Sequence, residues 1–271
     1  MNSGNEATLA KTLARLRALA SANAATGDDE TEYCGSCHAG WRQRPGSEGG
    51  GVEPCPCRDG VLRRHRQSEI NEVLARYHAG VGSKLKSVSP LTFLVRPEQG
   101  HVKMALDRHL SELREVKERS GRVRGGGWLV LGPPGVGKSW VASYLVNRVR
   151  AEGWGTAAMV NFPRLLSALR ATFRVETDHA ALFRILYETD VLAVDDLGME
   201  KKVRADEDAA SSWGVQEFYK VIDHRFDEER PTLITTNRSL DELEERFGPA
   251  IYSRIRGMTN RLDLSGEDGR R

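Results

Sequence analysis

Residues 132 to 139 read Gly132-Pro133-Pro134-Gly135-Val136-Gly137-Lys138-Ser139, the G-x-x-x-x-G-K-[ST] spacing of a phosphate-binding loop. Glycines at its first, fourth and sixth positions let backbone N–H groups turn toward one anion, and a helix that follows adds the partial positive charge of its N-terminus. Lys138 can reach the β and γ phosphates of a nucleotide, Ser139 offers a hydroxyl to Mg²⁺, and Trp140 stands in the first turn beyond. The chemistry is nucleoside-triphosphate binding, with ATP the expected ligand. A glycine-rich turn that merely precedes a lysine is the alternative. The apolar run from Trp128 to Leu131 before the loop and the helical stretch from Trp140 to Arg150 after it favour the functional reading.

A second group of residues completes that chemistry. The apolar run Val191-Leu192-Ala193-Val194 ends in Asp195 and Asp196, the pattern of a Walker B strand. Asp195 is expected to hold Mg²⁺, and Asp196 to take a proton from, or orient, the water that attacks the γ-phosphate. Aspartate at the second position is shorter than the glutamate common there, which predicts slow hydrolysis. An acidic loop after any buried strand would look similar. Thr232 to Thr236 forms a third β-rich run ending in Asn237, which reads as a sensor of the γ-phosphate. Asn237 at a strand end also suits a turn, and Ser239 with Glu242 forms a capping box for the next helix.

The four cysteines fall in one window: Cys34 and Cys37, then seventeen residues, then Cys55 and Cys57. In a reducing compartment such pairs suit four thiolates around a tetrahedral Zn²⁺. The stretch from Arg42 to Pro54, rich in Gly and Ser, cannot supply much of a hydrophobic core, so a metal would replace one. A redox pair or four unrelated thiols are the alternatives, and His38 or His65 could stand in for a cysteine. The basic run from Arg58 to Arg66 is either a solvated face or a nucleic-acid contact.

These groups must be positioned by a chain of 271 residues, enough for a sizeable α/β domain and a smaller appendage. A net charge of +2 argues against a generally nucleic-acid-binding surface, so any DNA contact is local. No apolar stretch approaches the ~20 residues of a membrane span. Leu9, Leu13 and Leu16 are interrupted by Lys11, Arg15 and Arg17, which excludes a secretory leader and predicts a cytoplasmic protein. An organellar transit peptide or a partner-binding helix would share that pattern. A helix is expected from Ser68 to Tyr77, then a linker marked by Gly80, Gly82 and Pro90, dividing the chain into residues 1–90, with the zinc module at about 31–66, and residues 91–271. A charged helix from Glu98 to Ser120 precedes the loop strand, and a short strand from Thr156 to Val160 follows the loop helix. Alternating strands and helices predict a parallel sheet with helices on both faces and the phosphate site at the strands' C-terminal edge.

In this order the pieces resemble the DnaC, DnaI and IstB group of AAA+ ATPases, which are helicase loaders and transposition helpers. The resemblance runs from about Arg76 to Arg270. It rests on the loop, the Asp195-Asp196-Leu197-Gly198 box, Thr235-Thr236-Asn237, the segment from Leu240 to Arg246, Tyr252 to Ile255, and Gly266 to Arg270. The cysteine window is similar, more loosely, to the zinc-binding N-terminal region of some loaders. The resemblance implies that Arg254 is an arginine finger reaching a neighbouring subunit's ATP, hence self-association through the ATP site. It also makes Arg270 a sensor-2 candidate, although Gly269 stands where an aromatic is common; Arg256 is the nearby alternative. Arg164, Arg170 and Arg174 become candidate contacts to single-stranded DNA, or else a solvated helix face. No separate lid domain fits after Leu264.

The resemblance implies an ATP-switched loader of a DnaB-type replicative helicase onto single-stranded DNA. A transposition helper that binds DNA and recruits a transposase is the alternative within the group. A binding module with little turnover, in which ATP is a regulatory ligand, is the alternative outside it.

Overall fold

The computed structural model describes residues 33–45, 51–88, 100–198 and 208–269. Internal contacts divide the chain into two units, Met1–His65 and Arg66–Arg271. In the first, β1 (Trp41–Gln43) and β2 (Val52–Pro54) pair antiparallel. Helix α1 (Cys57–Arg76) then runs across the division. It is longer than the expected Ser68–Tyr77 segment because the basic run is itself helical. The boundary expected near residue 90 lies outside the described residues.

The second unit is built on a five-stranded parallel sheet. Its strands are β3 (Gly127–Leu131), β4 (Ala157–Asn161), β5 (Val191–Asp195), β6 (Thr232–Thr236) and β7 (Thr259–Asp263), in the spatial order β4-β5-β6-β3-β7. Its remaining helices are α2 (Ser83–Lys86), α3 (Gly100–Ser120), α4 (Lys138–Glu152), α5 (Phe162–Thr172), α6 (Glu176–Glu188), α7 (Asp208–Asp227) and α8 (Leu240–Met258). The central strands are almost wholly buried because both sheet faces are covered, β3 and β5 as apolar runs and β6 with three threonines among its five residues.

Their alternate residues sort cleanly between two cores. Leu129, Leu131, Val160, Leu192, Val194 and Ile234 join the core formed with α5 to α8. Val130, Met159, Val191, Ala193 and Leu233 join the core formed with α3 and α4. Edge strand β4 is covered rather than open: the Gln67 amide bonds both the N–H and the C=O of Ala157, at 2.8 and 2.9 Å, and the Asn161 N–H donates to Ala79. Arg225, fully buried, gives its guanidinium to Thr232 and to the carbonyls of Leu186, Thr189 and Pro231, tying the start of β6 to the loop that enters β5. Among the described residues no helix is long and apolar enough to cross a membrane.

Candidate functional site

The strand order decides which residues meet. Strand β6 lies between β3 and β5, with Leu131 opposite Thr236 and Val194 opposite Ile234. The loop after β3, the acidic pair ending β5 and Asn237 after β6 therefore share one sheet edge, with Asn237 in the middle. Gly132 and Gly135 are required at the loop's close approaches. A Cβ on Gly132 would lie 2.3 Å from the Leu264 carbonyl oxygen, and Gly135 has φ +80°. Gly137 ends the loop as the residue before α4, and Val136 is buried beneath it. Lys138 is buried, and its ammonium donates to the Gly132 and Pro133 carbonyls, both at 2.7 Å. Trp140 is exposed on the first turn of α4.

Asp195 is 3% exposed. Burial raises its carboxyl above the ordinary carboxylate value, against the opposing pull of hydrogen bonds from Thr235 and Ser139 and of the Lys138 charge. Ser139 and Asp195 thus present two hard oxygens to one another, the donor set that Mg²⁺ takes. Thr235 Oγ1 has two tasks: it donates to Asp195 Oδ1 at 2.7 Å and accepts from the Asp196 N–H at 3.0 Å. Asp196 adopts φ +60°, a left-handed conformation that aspartate tolerates better than most residues, so the backbone here selects the shorter acid. Its Oδ2 accepts from Asn161 Nδ2 at 3.2 Å. Asn161 also caps α5 by accepting from the Arg164 N–H.

Thr235 and Asn161 hold the acidic pair, parts that sequence reasoning missed. Asn161 signals itself only as a polar residue closing an apolar strand, as many strand ends do, and Thr235 only as part of the Thr235-Thr236-Asn237 run, which does not say what its hydroxyl holds. The segment after β7, singled out by the Gly266 to Arg270 motif, also reaches this edge. Leu264 N–H donates to Leu131 O at 2.8 Å and Gly269 N–H to Gly135 O at 3.1 Å, laying residues 264–269 along the phosphate loop. A Cβ on Gly135 would meet the Asp268 carboxylate at 1.9 Å. Arg270 lies outside the described residues.

Arg254 does not join this edge. It pairs with Asp223, donates to Ala250 O at 3.4 Å and stacks 4.9 Å over the Tyr219 ring, all on α7 and α8. Arg256 stacks on Tyr252. Arg164, Arg170 and Arg174 are exposed around α5, with Arg164 also donating to Gly80 O at 3.2 Å.

In the first unit the four sulfurs of Cys34, Cys37, Cys55 and Cys57 lie within 4.8 Å of one another, and no disulfide joins them. Neighbouring sulfurs are 3.4 to 3.8 Å apart. Four ligands at ~2.3 Å around a tetrahedral Zn²⁺ would be ~3.8 Å apart, so the spacing fits that ion. The Ser36 backbone N–H draws the Cys34 thiol down to about 7, while burial pushes Cys37 up. Neither His38 nor His65 belongs to the group. Arg58, first of the basic run, stacks 4.4 Å over the Trp41 ring.

The IstB-like ATP binding protein family matches residues 108–267, the span holding the phosphate loop, Asp195, Asp196, Thr235 and Asn237. The chain belongs to that family. This IstB-like chain is a P-loop ATPase with the AAA+ sheet order. It is 25% identical over 149 residues to the replicative helicase loader DnaC of Escherichia coli, covering 54% of this chain and 56% of that one. It is 29% identical over 159 residues to a protein of Sinorhizobium fredii named as an insertion sequence ATP-binding protein, covering 54% and 60%. The chain thus spans little more than half the length of these curated relatives. The crystal structure of the DnaC helicase loader superposes with a TM-score of 0.56 at 20% identity, over 68% of this chain and 100% of that one, a likeness of fold.

Proposed function

We propose that this IstB-like ATPase is a loader that places a DnaB-type hexameric replicative helicase onto single-stranded DNA and is switched by its nucleotide. The observation that carries this reading over the alternatives is the four-sulfur cluster, which gives the ATPase a separate N-terminal unit suited to gripping a protein partner. Zn²⁺ there has a structural role, replacing a core the segment lacks. The partner-binding region is residues 1–90 and the ATPase domain residues 91–271.

In the ATPase, Lys138 and the loop backbone bind the phosphates, and Mg²⁺ held by Ser139 and Asp195 neutralises their charge. Asp196 orients the attacking water. Its short side chain, also engaged by Asn161, makes hydrolysis slow. Asn237 distinguishes ATP from ADP, and Trp140 and Arg270 flank the nucleotide. Arg254, held by Asp223 on α7 rather than by its own loop, completes a neighbouring subunit's site, so ATP favours self-association. Arg164, Arg170 and Arg174 contact the strand's phosphates. The setting is cytoplasmic.

The resemblance to the insertion-sequence protein favours a second reading, a transposition helper. A pull-down against the source organism's replicative helicase, with and without ATP, separates the two. Capture that depends on ATP and is lost in Lys138→Ala supports the loader; capture of a transposase instead overturns it.

A further inference from the structure

A cavity of about 270 Å³ opens in the sheet-bearing unit between the end of α1, the turn carrying α2, helix α4 and edge strand β4. No residue of the phosphate loop lines it. Its charged lining has one sign: Arg150 and Lys86 contribute cations, Asn71, Ser143 and Asn147 contribute neutral polar groups, and no carboxylate is present.

Arg150 is the unusual member. It is half-buried, and its Nε donates to Ala157 O at 3.0 Å. Among the described residues no acceptor meets its two Nη groups and no carboxylate pairs with it. Burial, with no opposing influence, lowers its ordinary value. The same unit shows how a structural arginine is treated: Arg225 has each guanidinium nitrogen on a carbonyl or hydroxyl oxygen. A desolvated cation left without a counter-charge is costly, and the cost falls when an anion arrives.

We propose that this cavity binds a phosphate-class oxyanion, gripped by the Arg150 guanidinium and closed by Lys86. Asn147 positions the second cation, because its Nδ2 donates to Lys86 O at 3.2 Å and Val88 O at 2.7 Å and so fixes the α2 turn against α4. The volume exceeds by many times the ~10–15 Å³ that admits one water, leaving room for a tetrahedral oxyanion and part of the group that carries it. The site stands independently of the loader reading, since it uses none of the nucleotide residues.

The test uses full-length protein loaded with ADP and Mg²⁺, so that the phosphate loop is filled, titrated with inorganic phosphate by calorimetry. One saturable site is expected. Arg150→Met should weaken it about tenfold or more, the loss of a charge-assisted hydrogen bond. Lys86→Ala, a change at an exposed position that leaves folding intact, should weaken it severalfold. A short single-stranded oligonucleotide then separates two carriers of the same chemistry. Arg150-dependent competition with phosphate assigns the ligand to a strand, and no competition assigns it to a small phosphate ester. Absence of saturable phosphate binding to the ADP-loaded protein overturns the proposal. So does equal affinity in wild type, Arg150→Met and Lys86→Ala.

Discussion

Thr235→Val changes one buried hydroxyl for a methyl of the same shape and tests how the acidic pair is held. The hydroxyl donates to Asp195 Oδ1 at 2.7 Å and accepts from the Asp196 N–H at 3.0 Å, with Thr235 itself fully buried. Losing a charge-assisted hydrogen bond costs about 2 kcal/mol, and leaving a buried N–H without an acceptor adds about 1 kcal/mol. For a unit of this size a total of about 3 kcal/mol lowers Tm by about 9 °C. Burial already holds Asp195 above its ordinary value, and the variant raises it further. A carboxyl raised in the fold costs stability when it must ionise, so stability is lost as pH rises through the folded value. The gap between wild type and variant is therefore widest at neutral pH and narrows on acidification. Calorimetric melting at neutral and mildly acidic pH reads this directly, and ATP turnover should fall about tenfold as the pair loses its orientation. Thr235→Ser, which keeps the hydroxyl, should retain most of both. An unchanged Tm at neutral pH, or a gap that widens in acid, would refute the reasoning.

Arg254→Ala and Lys138→Ala should each lack ATPase activity, and mixing them should restore part of it if finger and loop meet between subunits; no rescue from two folded proteins counts against a shared site. Metal analysis under reducing conditions should find about one zinc per chain, lost in Cys55→Ser, and a value far below one removes the zinc assignment. Burial against the Trp128 ring lowers His109 below its ordinary 6.5, so the fold disfavours its protonation. Stability supplied by neutral His109 is complete above that value and declines as pH falls through the folded one. His109→Phe should flatten the acid side of the Tm profile, and an unaltered profile would show that His109 does not set it.

The parallel sheet and the phosphate site were legible because their signals are local: apolar runs of strand length, a glycine spacing with one geometric solution, and acids directly after a buried run. Ser239 with Glu242 is a capping box as its spacing predicts. What the sequence hid is non-local. Thr235 matters through a strand forty residues upstream, Asn161 through one thirty-five residues downstream, and neither partner is implied by spacing. The hairpin of β1 and β2 escaped notice because three-residue strands carry almost no periodicity. The α1 helix was underestimated because its first half is charged and lacks an apolar stripe.

Helix α8 begins at the Ser239 cap, two residues after Asn237, and carries Arg254 fifteen residues on, a span that would measure about 22 Å were the helix unbroken. It is not unbroken: Gly248 departs from helical geometry at φ 81°, with Pro249 next to it. Such a lever has a joint in its shaft. A tilt imposed at the Asn237 end need not arrive undiminished at the arginine end, and Gly248→Ala, which strains a left-handed position, would alter the joint between the two without touching either. Under the proposed shared site, the coupling between neighbouring subunits would then be loose rather than rigid, with its timing set by Gly248, a residue outside the phosphate-loop edge.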